Sequence, residues 1–173
     1  MKRYILTVLM SVLFLAAPAF AAGSTPQAKE KSEAEKYIQQ MSRIKSSDID
    51  YSYISAAMFK QMFSMLGADV VLEGVSNPLA SIKSLRQFRT TGKDGYVALK
   101  RHMDPFLQED ETVMGMELMA LNREGGMLTA IYSGAGNILL VGDDESEISV
   151  VFIVGLTYDA FKAISENGIN IGF

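Results

Sequence analysis

Short apolar segments separated by polar, turn-forming residues in the last third of the chain predict four strands, over residues 112–122, 127–133, 138–141 and 147–155. The connections between them have four or five residues and are rich in Gly, Asp or Glu. Such connections are typical of successive antiparallel hairpins. We therefore expect a C-terminal four-strand meander.

The centre of this predicted meander is apolar on both faces. In the last strand, Val150 and Phe152 point to one face, whereas Val151 and Ile153 point to the other. An antiparallel sheet with one face in water alternates apolar with polar residues instead. Both faces are thus expected to be covered. Helices can cover one face, and the other is left to the N-terminal helices, a second copy of the chain or a partner.

Helical spacing of apolar residues predicts four helices. The first begins at residue 33, and the other three lie over about 53–66, 94–106 and 158–166. Asp94 and Thr157 are placed to cap the last two, and Pro105 should end the third nearby. Residues 67–80 and 81–89 show no clear period. The expected core comprises Met58, Met62, Leu85, Phe88, Leu99, Leu118, Ile131, Leu140, Val150, Phe152, Val154 and Phe161.

The first 21 residues have the features of a signal peptide. Lys2 and Arg3 precede an uncharged run over residues 4–16, and the small-residue pattern Ala19-Phe20-Ala21 follows. We expect cleavage before Ala22 and a periplasmic or otherwise exported protein, the alternative being a retained N-terminal anchor. Residues 22–32 are small and polar, which indicates a flexible tether. Residues 33–173 then form a single domain, with no integral membrane segment after cleavage.

Composition excludes several classes of site. The chain of 173 residues has no Cys and one His, so disulfides, thiolate metal sites, multi-His metal sites and lipid attachment through Cys are excluded. The net charge is −4, and residues 109–173 alone carry 11 acidic against 2 basic side chains. Nucleic-acid binding needs clustered Lys and Arg, so a nucleic-acid partner is not expected.

Two acidic runs are the candidates for carboxylate chemistry. They are Glu109-Asp110-Glu111 and the acidic turn, which consists of Asp143, Asp144, Glu145 and Glu147. General acid–base catalysis needs one partly desolvated carboxylate, whereas both runs lie between predicted elements. Calcium needs six to eight oxygen ligands, and the turn lacks the spacing of an EF-hand. Whether the acidic turn binds a cation is left open, and no catalytic, cofactor or metal residue is assigned.

Methionine, histidine and the basic residues offer further chemistry, and each has a structural interpretation that we favour. Met58, Met62 and Met65, with Met114, Met116 and Met119, could supply thioethers to Cu(I), but their spacing fits core packing. His102 lies off the predicted inward face of its helix, as a surface residue would. The basic group could bind an anion or face the acidic meander, and it contains Lys83, Arg86, Arg89, Lys93, Lys100 and Arg101. Neither G-x-S-x-G nor a phosphate-binding loop is present.

Residues 53–164 resemble the bacterial envelope family known as domain of unknown function 4252. The resemblance rests on a basic-apolar strand at Ile82–Phe88, the acidic strand Glu117-Leu118-Met119-Ala120-Leu121, and the step Gly155-Leu156-Thr157 into a last helix. It covers about two-thirds of the chain. It implies an exported protein, favours a strand over residues 81–89, and supplies no catalytic residues.

Together these patterns predict an α+β domain with a mainly antiparallel sheet of about five strands, packed by N-terminal, central and C-terminal helices. We expect a non-enzymatic exported envelope domain, without cofactors, that associates with a protein partner or with itself through an apolar sheet face. The alternative is a periplasmic metal or small-ligand binding protein. The partner, the oligomeric state and the strand order are not predicted.

Overall fold

The computed structural model describes residues 31–65 and 81–167, and these form an α+β fold in which one seven-stranded antiparallel sheet packs against helices. The helices are α1 (Glu33–Met41), α2 (Ala56–Met65), α3 (Lys93–Leu107) and α4 (Tyr158–Asn167). The strands are β1 (Ile49–Ser55), β2 (Ser84–Thr90), β3 (Thr112–Val113), β4 (Met116–Glu124), β5 (Met127–Gly134), β6 (Asn137–Asp143) and β7 (Ile148–Val154).

The strand order is β1-β2-β7-β6-β5-β4-β3, and all neighbours are antiparallel. The predicted meander is confirmed as β4 to β7, and the predicted strand over 81–89 is confirmed as β2. β2 pairs with β7, which is distant in sequence, and so attaches β1 to the meander. The expected strand count of about five is too low, because β1 and β3 were not predicted.

Tight turns explain why β3 was missed. Met114 and Gly115 both have positive φ angles, of 50° and 72°, which is the conformation of a two-residue hairpin turn. This turn divides the single strand predicted over residues 112–122 into β3 and β4. The same pair of positive angles occurs at Gly125-Gly126 and Ala135-Gly136, where turns were predicted.

β1 corrects the boundary of the second predicted helix. Residues 53–55 were assigned to that helix because Ile54 falls on its apolar face, but the helix begins at Ala56. Ile49, Tyr51 and Tyr53 alternate with more polar neighbours, and this period of two is the strand signal that the helical interpretation overlooked.

The first face of the sheet is covered by α1 and α3. Ser32 caps α1, since its Oγ accepts from the Glu35 backbone N–H at 3.1 Å. Ile38 and Met41 of α1 are buried. Leu99, Met103 and Phe106 of α3 are buried too, with Tyr96 packed at their margin. Members of this core are Phe88, Leu99, Met103, Phe106, Tyr132, Leu139, Val150 and Phe152.

The second face of the sheet is buried at its centre as well. Side chains on the opposite side of the central strands are nearly inaccessible, and they are Leu85, Ile138, Leu140, Val151 and Ile153. α4 packs against β6, and its buried Ala160 lies outside the first-face core. The expectation that both faces must be covered is confirmed, and the chain itself covers both at the centre.

Several of the predicted core residues lie nearer the margin. Leu85, Phe88, Leu99, Leu140, Val150 and Phe152 are buried, whereas Met58, Leu118, Ile131, Val154 and Phe161 are partly exposed. The caps also differ in part. α3 begins after Gly92 without a side-chain cap from Asp94, and it continues two residues beyond Pro105. Thr157 Oγ1 does accept from the Ala160 N–H of α4, at 3.4 Å.

Some predictions fall on residues that are not described. These are the signal peptide, nearly all of the tether, residues 67–80 and the side chains of Met62 and Met65. The last residue of the predicted tether, Ser32, is the cap of α1. Within residues 31–65 and 81–167, no helix has the length and apolar character needed to cross a membrane.

Candidate functional site

Three carboxylates of the acidic turn, those of Asp143, Asp144 and Glu147, have donors within the protein. The Asp144 Oδ1 accepts from the Ser146 N–H at 3.0 Å and from the Glu147 N–H at 2.6 Å. Glu147 forms a two-point ion pair with Arg89, with distances of 2.6 and 3.1 Å. Burial acts to raise the pKa of Asp144, but these hydrogen bonds outweigh it and lower that pKa. The turn therefore holds its own shape with groups that a cation would need.

Asp143 belongs to a network that joins β6 to α3. Its Oδ2 is 3.0 Å from the Lys100 Nζ, and its Oδ1 accepts from the Tyr96 hydroxyl at 3.2 Å and from the Glu145 N–H at 2.9 Å. Lys100 also donates to the Tyr96 hydroxyl at 2.6 Å. Hydrogen bonds to Tyr96 and Asp143 raise the pKa of Lys100, so its ammonium group stays charged. The network joins α3 to β6, and it engages the side chains of Lys100, Tyr96 and Asp143 with one another.

These contacts decide the role of two basic residues. Arg89 and Lys100 face the acidic turn of their own chain, which confirms the internal role favoured for them. The other acidic run is also partly paired, because Glu109 forms an ion pair with Arg123 of β4. Within the described residues, no group of three or more His, Asp or Glu side chains is placed to hold a metal ion.

Arg86 is buried on the first face beside the edge strand. The residue is 7% exposed, and its guanidinium lies over the Tyr53 ring at 5.3 Å from the centroid. Its Nη1 is buried and has no hydrogen-bond partner. The sequence placed Arg86 in a basic group but not among aromatic residues, because β1 was not predicted.

His102 packs its ring against α1. Its ring stacks on Tyr37 of α1 at 4.5 Å between centroids, and its backbone oxygen accepts from the Tyr37 hydroxyl at 2.5 Å. The Nε2 atom is buried without a hydrogen-bond partner. Burial lowers the pKa of His102, so the ring is neutral near pH 7. His102 is partly exposed, with its ring held against α1.

The described methionines differ in burial, and several belong to the core. Met116 is buried in the first-face core, while Met119 of the same strand is 37% exposed, at a bulge between Leu118 and Ala120. Met103, which neighbours His102 in sequence, is also in the core. A copper site needs several thioethers around one point, and this arrangement favours the packing interpretation.

A shallow cleft of about 360 Å³ lies where β4, β5 and the start of α4 meet. Its polar side chains are Glu117, Ser133 and Thr157, and the turn at Ala135 and Gly136 supplies backbone atoms. A carboxylate and two hydroxyls could hydrogen-bond a small polar molecule. Nucleophilic catalysis would also need a base held against the hydroxyl, and His102, the single histidine of the chain, does not line this cleft.

The outer strands carry most of the exposed apolar side chains. Five large hydrophobic residues are exposed among those described, and four of them lie on β1 or β4. On β1 these are Tyr51 and Tyr53, at 45% and 49%; on β4 they are Met119 and Leu121, each at 37%. The tyrosines belong to the first face, next to Phe88 and Arg86. Strand alternation around Tyr51 and Tyr53 is the signal that could have identified them.

No protein-family model, curated protein or solved structure matches the chain.

Proposed function

We propose that this protein is a non-enzymatic, exported envelope domain that acts by associating with a protein partner or with itself. The observation that carries the proposal is the clustering of exposed apolar side chains on β1 and β4, two strands at or next to opposite edges of one sheet. Exposed aromatic and aliphatic side chains that group on one element are typical of contact surfaces.

The surface differs from the one that the sequence suggested. The centre of the second face, at residues such as Val151 and Ile153, is buried within the chain and is closed to a partner. Association would instead use the outer strands, where backbone groups and side chains remain accessible. The export of the domain and its resemblance to domain of unknown function 4252 are parts of the same proposal.

Two observations favour contact over reaction. The Asp143, Asp144 and Glu147 carboxylates of the acidic turn are paired with Lys100, backbone donors and Arg89, respectively. The single histidine is stacked on Tyr37 and does not line the cleft. An acid–base or hydrolytic mechanism would need such groups free and converging on one point.

Paired lysine substitutions on each outer strand test the proposal. Protein expressed from the full-length chain would be compared as wild type, Tyr51→Lys/Tyr53→Lys and Met119→Lys/Leu121→Lys. Self-association would be followed by light scattering after size exclusion, and partner association by quantitative capture from an envelope extract. Val97→Lys is the matched control, since Val97 is exposed and apolar but lies on α3.

We expect at least one double variant to lose association while keeping its thermal unfolding temperature, and the control to behave as wild type. Lysine is tolerated at exposed strand positions but prevents close apolar contact. The proposal would be refuted if the wild-type protein is strictly monomeric and if the double variants capture the same proteins from the extract as the wild type does.

The small-ligand alternative is supported by the cleft alone. A bound polar molecule would hydrogen-bond Glu117, Ser133 or Thr157 and stabilise the folded state. Thermal unfolding with a panel of small polar compounds, and with Ca²⁺ and Cu(I), tests it. A shift that Glu117→Gln abolishes would support the alternative, and no shift with any compound would reject it.

A further inference from the structure

We infer that the edge of β1 that no other described strand pairs with joins β1 of a second copy of this chain, antiparallel and with Ser52 opposite Ser52 of the other copy. This inference rests on the proposed function and names the partner at one end of the sheet. It follows from the direction of backbone groups, the exposed tyrosines and the distribution of charge along β1.

The hydrogen bonds that flank β1 show which of its backbone groups point outward. The Ala56 N–H donates to the Lys83 oxygen at 2.9 Å, and the Thr91 N–H donates to the Asp48 oxygen at 2.8 Å. Both continue the β1–β2 register, and hydrogen-bonded pairs in an antiparallel ladder recur at every second residue. The even-numbered residues of β1 therefore bond to β2. The odd-numbered residues direct their N–H and C=O groups away from β2.

The same odd-numbered residues carry the exposed aromatic side chains. Tyr51 and Tyr53 are about half exposed and lie on the first face, while their backbone N–H and C=O groups face the open edge. The edge thus offers hydrogen bonds and apolar surface at the same two positions. Strand addition to a sheet edge uses these two contributions.

Geometry limits the possible registers with a second copy. A new hydrogen-bonded pair must join two outward-facing residues, so odd-numbered residues pair with odd-numbered residues. Tyr51 could then face Tyr51, Tyr53 could face Tyr53, or Tyr51 could face Tyr53. The last register places both tyrosines of each copy opposite tyrosines of the other, and cross-strand aromatic pairs stabilise a sheet. It also puts Ser52 on the two-fold axis.

Charge along the edge is compatible with an identical partner. Asp50 is the one ionisable acid of β1, and it lies opposite Arg89 of its own chain. In the proposed register Asp50 faces Ile54 of the second copy, so the two aspartates stay about four residues, or ~13 Å, apart. Arg86 would lie near tyrosines of both copies, where a guanidinium interacts favourably with aromatic rings. Asp50 is the single fully charged side chain of β1, and one charge would not select a strongly charged partner.

The opposite edge of the sheet does not offer the same template. β3 has two residues and follows the tight course of its hairpin, whereas β1 has seven residues and no proline. Short edge strands are one way in which proteins avoid edge-to-edge pairing. A single strand pair buries less than the roughly 1,200–2,000 Å² of a standard interface, so we expect a weak, concentration-dependent dimer.

Cysteine scanning tests both the dimer and its register, because the natural chain has no cysteine. In the proposed register, the Cα atoms of the two residues 52 form a non-hydrogen-bonded pair at about 4.5 Å, within the range for a disulfide. Ser52→Cys should form a covalent dimer under mild oxidation. Asp50→Cys is the matched control, since its two thiols would be too far apart. We expect at least about fivefold more covalent dimer from Ser52→Cys than from Asp50→Cys.

A second measurement uses the reversible dimer. In sedimentation equilibrium we expect the wild type to show a concentration-dependent dimer. Tyr51→Pro should be monomeric at the same concentrations with an unchanged far-ultraviolet spectrum, because the Tyr51 N–H is not part of the β1–β2 ladder and proline is tolerated on edge strands. Val97→Lys should dimerise as the wild type does.

Equal cross-linking of the two cysteine variants, or a dimer unaffected by Tyr51→Pro, would overturn the inference. A monomeric wild type would do so as well. The proposed function would survive each of these results if a double lysine variant still lost a specific partner. If the wild type neither dimerises nor captures a partner that a double lysine variant loses, both proposals are refuted.

Discussion

At the scale of single residues, Gly155 shows how closely the backbone approaches itself. Its φ is +89°, and a Cβ added there would lie 2.2 Å from the Ser81 carbonyl oxygen. Gly136 has a similar φ of +74°, but nothing lies within 4 Å of its added Cβ. Substitution of Gly136 would therefore measure the energetic cost of the left-handed backbone alone. Substitution of Gly155 would measure that cost together with the cost of a steric clash.

We expect Gly155→Ala to lower the free energy of unfolding by about 3 kcal/mol or more, since strain and overlap add. Gly136→Ala should cost about 1–2 kcal/mol, because only the backbone conformation is unfavourable. Urea denaturation of both variants measures the difference. Similar losses for the two would show that the chain near Ser81 relaxes freely.

His102 predicts a dependence of stability on pH. Burial lowers its pKa in the folded state, so protons bind the unfolded state more tightly. Its contribution is fully present above the unfolded pKa of about 6.5 and is lost as the pH falls below that value. Denaturation at pH 7.5, 6.5 and 5.5 should therefore show a smaller loss in His102→Gln than in the wild type. Parallel curves would contradict the burial of the ring.

At the scale of elements, the best-defined link is the one between α3 and the end of β6. Asp143 is nearly buried, while Lys100 is about half exposed, and Tyr96 joins them. The ion pair between Arg89 and Glu147 links β2 to the acidic turn but is open to water. Burial of one partner is thus the main difference between the two pairs.

Lys100→Met should cost about 1–2 kcal/mol, because it leaves the Asp143 carboxylate short of a donor in a nearly buried position. Arg89→Met, the matched control, should cost less than about 1 kcal/mol, since exposed ion pairs contribute little. Chemical denaturation at low and high salt checks both. A larger loss for Arg89→Met would place the stronger link at β2 instead.

At the scale of the whole molecule, the sheet is a core with two buried faces. Phe152 lies on the first face and its neighbour Ile153 on the second, where Ile153 is 4% exposed. If the second face were exposed in the free protein, shortening one of its side chains would change the stability little. If the chain itself covers that face, the same change would be destabilising. Substitution of Ile153 therefore distinguishes an open second face from a buried one.

We expect Ile153→Ala to lower the free energy of unfolding by about 2–4 kcal/mol, which is the range for large-to-small changes in a core. Ile131 lies on the same face in β5 and is partly exposed, so Ile131→Ala should lower the free energy of unfolding by less than Ile153→Ala does. Denaturation of dilute protein gives both values. A neutral Ile153→Ala would mean that the second face is open in solution.

Local patterns predicted the meander and most of the helices but not the edges of the sheet. The short apolar segments of β5 to β7 and the glycine or acidic turns between them were strong signals, because each is decided within a few residues. At β3 the turn residues Met114 and Gly115 sit inside an apolar run, so one long strand looked equally good. At β1 the residues adjoin a helix with the same apolar side chains, and periods of two and 3.6 overlap there.

The exposed contact surface on β1 was harder to predict from the sequence than the edges of the sheet. Exposure of Tyr51 and Tyr53, and burial of Arg86 and His102, depend on which elements lie beside them. Pairing of β2 with β7 joins residues 60 to 70 positions apart, and no local pattern carries that information. The same pairing places Arg89 beside the acidic turn, and the packing of α3 brings Lys100 to Asp143.

The sequence alone determined the class of this protein: short apolar segments joined by turn residues indicate an antiparallel sheet, and apolar residues on both sides of its strands require two covered faces. The tertiary structure decided what covers those faces, which strand is left at the free edge and which polar groups are neutralised internally. The physical reason is that strand period and turn conformation are local properties, whereas burial and charge pairing are set by long-range contacts between elements.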